Sequence, residues 1–248
     1  MPSHRICLWS GPRNISTALM YSFAQRSDTR VVDEPLYGHY LQVSGAEHPG
    51  RDEVLAAMET DGERVVSEVI LGPSDRSVLF MKHMAHHLRD LDRRFLTRTV
   101  NVLLIRHPRE VLMSLVNQIP EPTLADTGIG VQSQLYRELR DVGQDPPVVD
   151  SRELLLAPRQ VLASLLRRLE LPFEEAMLEW PAGGRPEDGV WAPHWYANVH
   201  RSTGFSPYRP KGGVLPQHLV AVLEECMPHY DDLYRAVIRA PKEGQVDQ

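Results

Sequence analysis

Two arginines in this chain stand where apolar runs give way to helical patterns, and each is followed by hydroxyl side chains. The first lies in "WSGPRNISTAL", residues 9–19, where the run Ile6 to Trp9 ends in Gly11, Pro12 and Arg13, and Ser16 and Thr17 open a helical pattern. A guanidinium offers a fixed charge with paired donors, and the first turn of a helix leaves backbone amides without partners. Pro12, Arg13, Asn14, Ser16 and Thr17 can therefore form an anion-gripping loop. The same residues also allow a plainer arrangement, in which Asn14 or Ser16 caps the helix and Arg13 reaches solvent. The second arginine lies in "VNVLLIRHPREVLMSLVNQ", where a strand ends at Arg106, Pro108 suits the first helical turn and Ser114 follows about two turns on.

Such groups need a frame to hold them. Apolar runs bounded by turn residues predict strands at about Arg5–Trp9, Arg30–Val32, Val78–Met81, Val100–Ile105 and Pro147–Val149. Helical spacing predicts helices over Ser16–Arg26, Asp52–Thr60, Ala85–Phe95, Pro108–Gln118, Gly130–Val142 and Pro158–Leu169. Strands separated by helices imply parallel crossovers, hence an α/β fold with a central, mostly parallel sheet flanked by helices in three layers. Ligands of such sheets collect at the carboxyl ends of the strands.

Composition narrows the function classes. The 248 residues suffice for a full core, and one α/β domain over residues 1–240 is expected, with a disordered tail at 241–248. A net charge of −6 without a Lys/Arg run argues against a nucleic-acid partner. No apolar run approaches the roughly 18–20 residues of a membrane span, and the segment after Met1 has no signal-peptide core. A cytoplasmic protein is the expectation. Cys7 and Cys226 lack metal-ligand spacing and read as small buried hydrophobes. Residues 180–211 are rich in Pro, Gly, aromatics and His, a composition suited to an ordered loop. Its Trp191, His194, Trp195, Tyr196 and His200 can either line a pocket for a small organic ligand or pack as core.

An ATP-binding loop requires Gly, four residues, then Gly-Lys-Ser/Thr, so that Lys reaches the terminal phosphates and the hydroxyl holds Mg²⁺. Counted from Gly11, those three positions hold Ser16, Thr17 and Ala18. What remains is a phosphate loop without its lysine or its metal ligand.

Arg106, Pro108, Glu110, Val111 and Ser114 resemble the 3′-phosphate motif of sulfotransferases that use 3′-phosphoadenosine 5′-phosphosulfate (PAPS). The first loop is similar to that family's 5′-phosphosulfate loop, with Pro12, Arg13, Ser16 and Thr17 matching and Asn14-Ile15 replacing its Ser-Gly. A β-branched residue does not readily take the positive φ open to glycine, so a changed loop backbone is expected there. A third similarity is "VVDSRELLLAPRQVLASLLRRLELPFEEAMLEW", and residues 190–208 resemble a sulfotransferase-like group of bacteria and plants whose plant members bear aminotransferase-like names. The resemblance runs from Ile6 to about Trp180.

It implies a P-loop-like fold and transfer of a sulfuryl group from PAPS to a hydroxyl or amine of a small-molecule acceptor, leaving adenosine 3′,5′-bisphosphate (PAP). Arg13, Ser16 and Thr17 would hold the 5′-phosphosulfate, with Arg13 neutralising the departing bridging oxygen, and Arg106 and Ser114 would select the 3′-phosphate. Lys211 and Gly212 partly match a nucleotide-closing loop. For the base that takes the acceptor proton the resemblance offers Glu34, in "VVDEPLY", or His83, in "LFMKHMAHH", with Lys82 facing sulfate or acceptor. Glu34 could equally cap a turn or pair with an arginine. His83 and His87 are four apart, with His86 adjoining, a spacing that would suit a metal pair on one helical face, but no third ligand accompanies them; no metal is expected. A kinase or phosphotransferase on the same fold, or a non-catalytic nucleotide-binding protein, are the competing functions. The expected assembly is a monomer or homodimer.

Overall fold

Five short segments of this chain are apolar on both faces, as strands of a parallel sheet must be when helices cover both sides. They are β1 (His4–Ser10), β2 (Thr29–Asp33), β3 (Val78–Met84), β4 (Val100–Ile105) and β5 (Val148–Asp150), and they pair in the order β2-β3-β1-β4-β5, all parallel. The computed structural model describes residues 4–210 and 212–240; the tail expected at 241–248 and Lys211 lie outside the described residues.

The helices that cover this sheet or border its carboxyl edge include α1 (Ser16–Phe23), α2 (Tyr37–Ser44), α3 (Pro108–Leu115), α4 (Ile129–Asp141), α5 (Ser151–Leu156), α6 (Pro158–Arg168) and α7 (Val220–Tyr234). Alternate strand residues feed two cores. On one face Cys7, Trp9, Met81 and Leu103 pack with α4 and α7; on the other Ile6, Leu8, Phe80 and Leu104 pack with α1 and α6. Leu19, Met20 and Phe23 are fully buried, and each such side chain contributes roughly 1.5–3 kcal/mol. The three layers result from this two-sided burial. No helix among the described residues is long and apolar enough to cross a membrane.

After β1 the chain runs toward β2 on one side, whereas after β4 it runs toward β5 on the other. Strand order therefore reverses between β1 and β4, and a crevice opens at their carboxyl ends. Arg13 and Arg106 stand on its two lips.

One expected helix is absent. Residues 85–95 carry only a short 3₁₀ turn at Ala85–His87, and a second at Arg93–Arg98 begins where the Asp92 carboxylate accepts from the Arg94 amide. β3 runs on to Met84, because Trp9 and Ser10 of β1 offer register partners to His83 and Met84. His83 is thus a strand residue, and His83 and His87 do not share a helical face.

Candidate functional site

The loop between β1 and α1 owes its shape to packing beneath it. A Cβ at Gly11 would lie 2.6 Å from the Thr127 carbonyl oxygen and 3.3 Å from Gln132 Oε1, so only glycine fits there. The one left-handed residue in the loop is Arg13, at φ 58°, while Ile15 keeps φ −95°. The expected backbone problem at Ile15 does not arise, because the left-handed turn sits two residues earlier. Asn14 pins the loop to the sheet: its Nδ2 donates to the Leu104 carbonyl at 3.0 Å and its Oδ1 accepts from Ser151 Oγ at 2.7 Å.

No side chain caps α1, so its first-turn amides lack such a partner, and the Ser16 and Thr17 hydroxyls make no hydrogen bond among the described residues. The capped alternative, with Asn14 or Ser16 at the helix start and Arg13 in solvent, is not what forms. Arg13 Nε instead donates to Ser114 Oγ at 2.9 Å, and Arg106 Nη1 donates to the Arg13 carbonyl at 2.8 Å. Residues more than ninety positions apart thus meet across the crevice. Arg13 is half-buried, and its guanidinium is pushed below its ordinary pKa by burial and by the nearby charge of Arg106. Arg106 is also gripped by Glu110, whose Oε2 accepts from Nε and Nη2 at 2.9 Å each. Glu110 Oε1 accepts from Tyr208 at 2.6 Å, and Arg109 Nη2 reaches the Gly213 carbonyl at 2.6 Å. These contacts draw the segment containing Gly212 against α3; Gly212 itself is exposed and open around its Cα.

On the other side of β1 lies a second polar group. Lys82, 1% exposed, points to the α1 face of the sheet, and its Nζ donates to Asp33 Oδ1 at 2.8 Å, Glu34 Oε1 at 2.6 Å and Tyr196 OH at 2.6 Å. The three hydrogens of the ammonium are thereby engaged. Burial alone would lower its pKa, but Asp33 and Glu34 outweigh burial and hold it well above the ordinary lysine value. Glu34 comes directly after β2 in a left-handed conformation, φ 41°, fixed by its amide donating to the Lys82 carbonyl at 2.8 Å. Its carboxyl is pushed up by burial and by Asp33, against the pull of Lys82. Only Oε1 is held; Oε2 has no hydrogen-bond partner among the described residues, and the side chain is 10% exposed.

His83, the next residue along β3, faces away from Lys82 because successive strand residues alternate. It is fully buried, stacks on Trp9 at 4.2 Å between ring centroids, and among the described residues has no hydrogen-bond partner at either ring nitrogen. Burial, with the charge of Lys82, pushes its pKa down to about 3, so the ring is neutral. His87 stacks between Tyr37 and Tyr40. Among the described residues no group of three or more His, Cys, Asp or Glu is placed to hold a metal ion.

The aromatic segment divides in two. Trp191 and Tyr196 are buried against Tyr37, Leu41 and Val54, and Tyr196 closes the Lys82 group. His200 instead pairs with Asp188, which also accepts from Tyr21 at 2.6 Å. Sequence motifs give no role to Asp33 and none beyond pocket or core to Tyr196. Asp33 adjoins Glu34 in "VVDEPLY" and is legible as a neighbour; nothing local marks Tyr196, since 114 residues separate it from Lys82.

Comparison with known proteins places this geometry in context. A family model described as "Sulfotransferase domain" matches residues 4–237. Two Arabidopsis thaliana proteins, named branched-chain-amino-acid aminotransferase-like proteins 1 and 2, are 43% and 41% identical over 226 residues. The match covers 91% of this chain and 40% of each relative, so the chain spans about two-fifths of the length of the curated relatives it matches. Among solved structures, the sulfotransferase domain from the curacin biosynthetic pathway superposes with a TM-score of 0.53 at 16% identity, covering 92% of this chain and 98% of that one. A sulfotransferase from Alicyclobacillus acidocaldarius gives 0.55 at 12% identity, over 96% and 97% of the two chains. At those identities the likeness is one of fold.

Proposed function

The chain belongs to the sulfotransferase domain family, and from that premise we propose that it moves a sulfuryl group from PAPS to a hydroxyl or amine of a small-molecule acceptor, releasing PAP. The observation that carries this reading is the meeting of Arg13, Arg106 and Ser114 across the crevice between β1 and β4, with Arg13 Nε 2.9 Å from Ser114 Oγ and Arg106 Nη1 2.8 Å from the Arg13 carbonyl. Two guanidiniums close enough for one to depress the other, beside a helix start with no side-chain cap and two hydroxyls unpaired among the described residues, suit a ligand with two anionic groups.

PAPS, when bound, supplies a sulfuryl group linked through a bridging oxygen to a phosphate that leaves readily. Arg13, Ser16, Thr17 and the amides of the first turn of α1 would hold its 5′-phosphosulfate, and Arg106 with Ser114 would hold the 3′-phosphate that ATP lacks. Fixed cations and dipoles of this kind stabilise developing charge without having to reorganise. Glu34 would take the acceptor's proton on Oε2, the oxygen that Lys82 leaves unbound. We favour Glu34 over His83 because its free oxygen is partly exposed, whereas the His83 ring is fully enclosed and only weakly basic. Lys82 holds Glu34 in place through Oε1.

Calorimetric titration with PAP and with ATP, each with and without Mg²⁺, tests the donor. Tight, metal-independent binding of PAP with weak ATP is the expected result. A preference for Mg·ATP would make the chain a phosphotransferase on this fold, and PAP binding without turnover on a broad acceptor panel would make it a nucleotide-binding protein.

A further inference from the structure

The Lys82 group holds two carboxylates and one ammonium in a buried place, so it carries one negative charge more than it neutralises. How the hydrogen bonds are spent decides where that charge resides. Asp33 has both oxygens engaged: Oδ1 accepts from Lys82 Nζ at 2.8 Å, and Oδ2 accepts from Tyr196 OH at 2.6 Å and from the Gly189 amide at 3.4 Å. The Tyr196 hydroxyl is also fully used. It accepts from Lys82 Nζ at 2.6 Å and from Trp191 Nε1 at 3.0 Å, which leaves its single proton to point at Asp33. Of the two carboxylates, Glu34 keeps an oxygen without a partner among the described residues.

We propose that Asp33, oriented by Tyr196, is a positioning residue that occupies Lys82 and so leaves Glu34 with the uncompensated charge at Oε2. The inference rests on the reading of Glu34 as the base. Were Lys82 paired with Glu34 alone, the two would form a neutral ion pair, and the carboxylate would bind a proton poorly. With Asp33 sharing the ammonium, the group as a whole is ready to accept one proton, and Oε2 is where that proton can land. The ionisable groups facing Glu34 are Asp33 from β2, Lys82 from β3, Tyr37 from α2 and Tyr196 from the aromatic segment. Burial, with the field of Lys82 among the neighbouring charges, depresses His83 and His87, and both rings are neutral.

The test uses the full chain and needs no acceptor. With ¹³C-labelled glutamate carboxyls, the Glu34 signal is identified by its loss in Glu34→Gln, and its titration midpoint is followed by NMR in wild type, Asp33→Asn, Asp33→Glu and Tyr196→Phe. The expected result is a fall of the midpoint by about 1–2 pH units in Asp33→Asn, recovery toward wild type in Asp33→Glu, and a smaller fall in Tyr196→Phe, where Asp33 keeps its charge but loses its orientation. PAP affinity, read by calorimetry, should stay at the wild-type value in all of them and reports that the fold is intact. An unmoved or raised Glu34 midpoint in Asp33→Asn overturns the proposal. If Asp33→Asn does not fold, Tyr196→Phe decides, and a midpoint equal to wild type there overturns it. Once an acceptor is known, the acid limb of the kcat/KM profile should move with the midpoint. Full turnover by Glu34→Gln would instead show that the base lies elsewhere, a failure of the functional reading that leaves the titration result standing.

Discussion

The two flanks of β1 treat charge in opposite ways. On the β4 side, Arg13 and Arg106 bring like charges together beside a helix start without a side-chain cap and hydroxyls without partners among the described residues. On the β3 side, Lys82, Asp33, Tyr196 and one oxygen of Glu34 satisfy one another, and among the described residues the second Glu34 oxygen is left over. Glu110 pairs with Arg106 and leaves the first flank with one positive charge in excess; under the proposed function that flank takes the anionic donor and the second takes a proton. A transfer reaction needs both conditions: a place that holds the charged donor and a place that accepts what the nucleophile sheds.

Substitutions on the two flanks should therefore fail differently. The largest effect is expected for Glu34→Gln, which should lower turnover by about 10²–10⁴-fold while leaving PAP affinity alone; wild-type turnover would transfer the base to His83 or another group. Next is Lys82→Met, which strands two buried carboxylates and should cost about 3–5 kcal/mol of stability in urea unfolding. A loss below about 1 kcal/mol would mean that the group is wetter than its burial shows.

Across β1, Arg106→Ala should weaken PAP by about 10–100-fold, the worth of a charge-assisted hydrogen bond, and adenosine 5′-phosphate hardly at all. Equal losses for both ligands would remove Arg106 from the 3′-phosphate. The smallest effect concerns His83. Its folded-state pKa is depressed to about 3 from the usual 6.5, so it contributes stability that is present above about pH 6.5 and is lost as pH falls toward 3. His83→Gln should make the fall of stability between about pH 6 and 4 shallower than in wild type; an unchanged slope would show that water reaches the ring.

Much of the molecule is readable from its sequence because it is written in short segments. The apolar runs that become β1, β3 and β4, and the Pro108 start of α3, are local signals, and the loop that carries Arg13 sits directly after one of them. The helix expected at residues 85–95 fails for a reason that is not local: β1 supplies register partners as far as Met84, and the ladder prevails over helical spacing. The left-handed turn sits at Arg13 instead of Ile15, and two residues before it Gly11 packs against Thr127, a contact made across 116 residues that no local pattern announces. Tyr196 is legible only as an aromatic residue in an ordered loop. Its hydroxyl acquires meaning from two residues on strands that lie far earlier in the chain.

Lys82 and His83 are neighbours in sequence and point to opposite faces of one strand. A slip of β3 by a single residue against β1 would set an imidazole among the carboxylates and drive an ammonium beneath Trp9. The pairing of Leu8 with Lys82 and of Trp9 with His83 thus guards its own register: the slipped pairing would bury a lone cation, a cost that nothing on that face offsets.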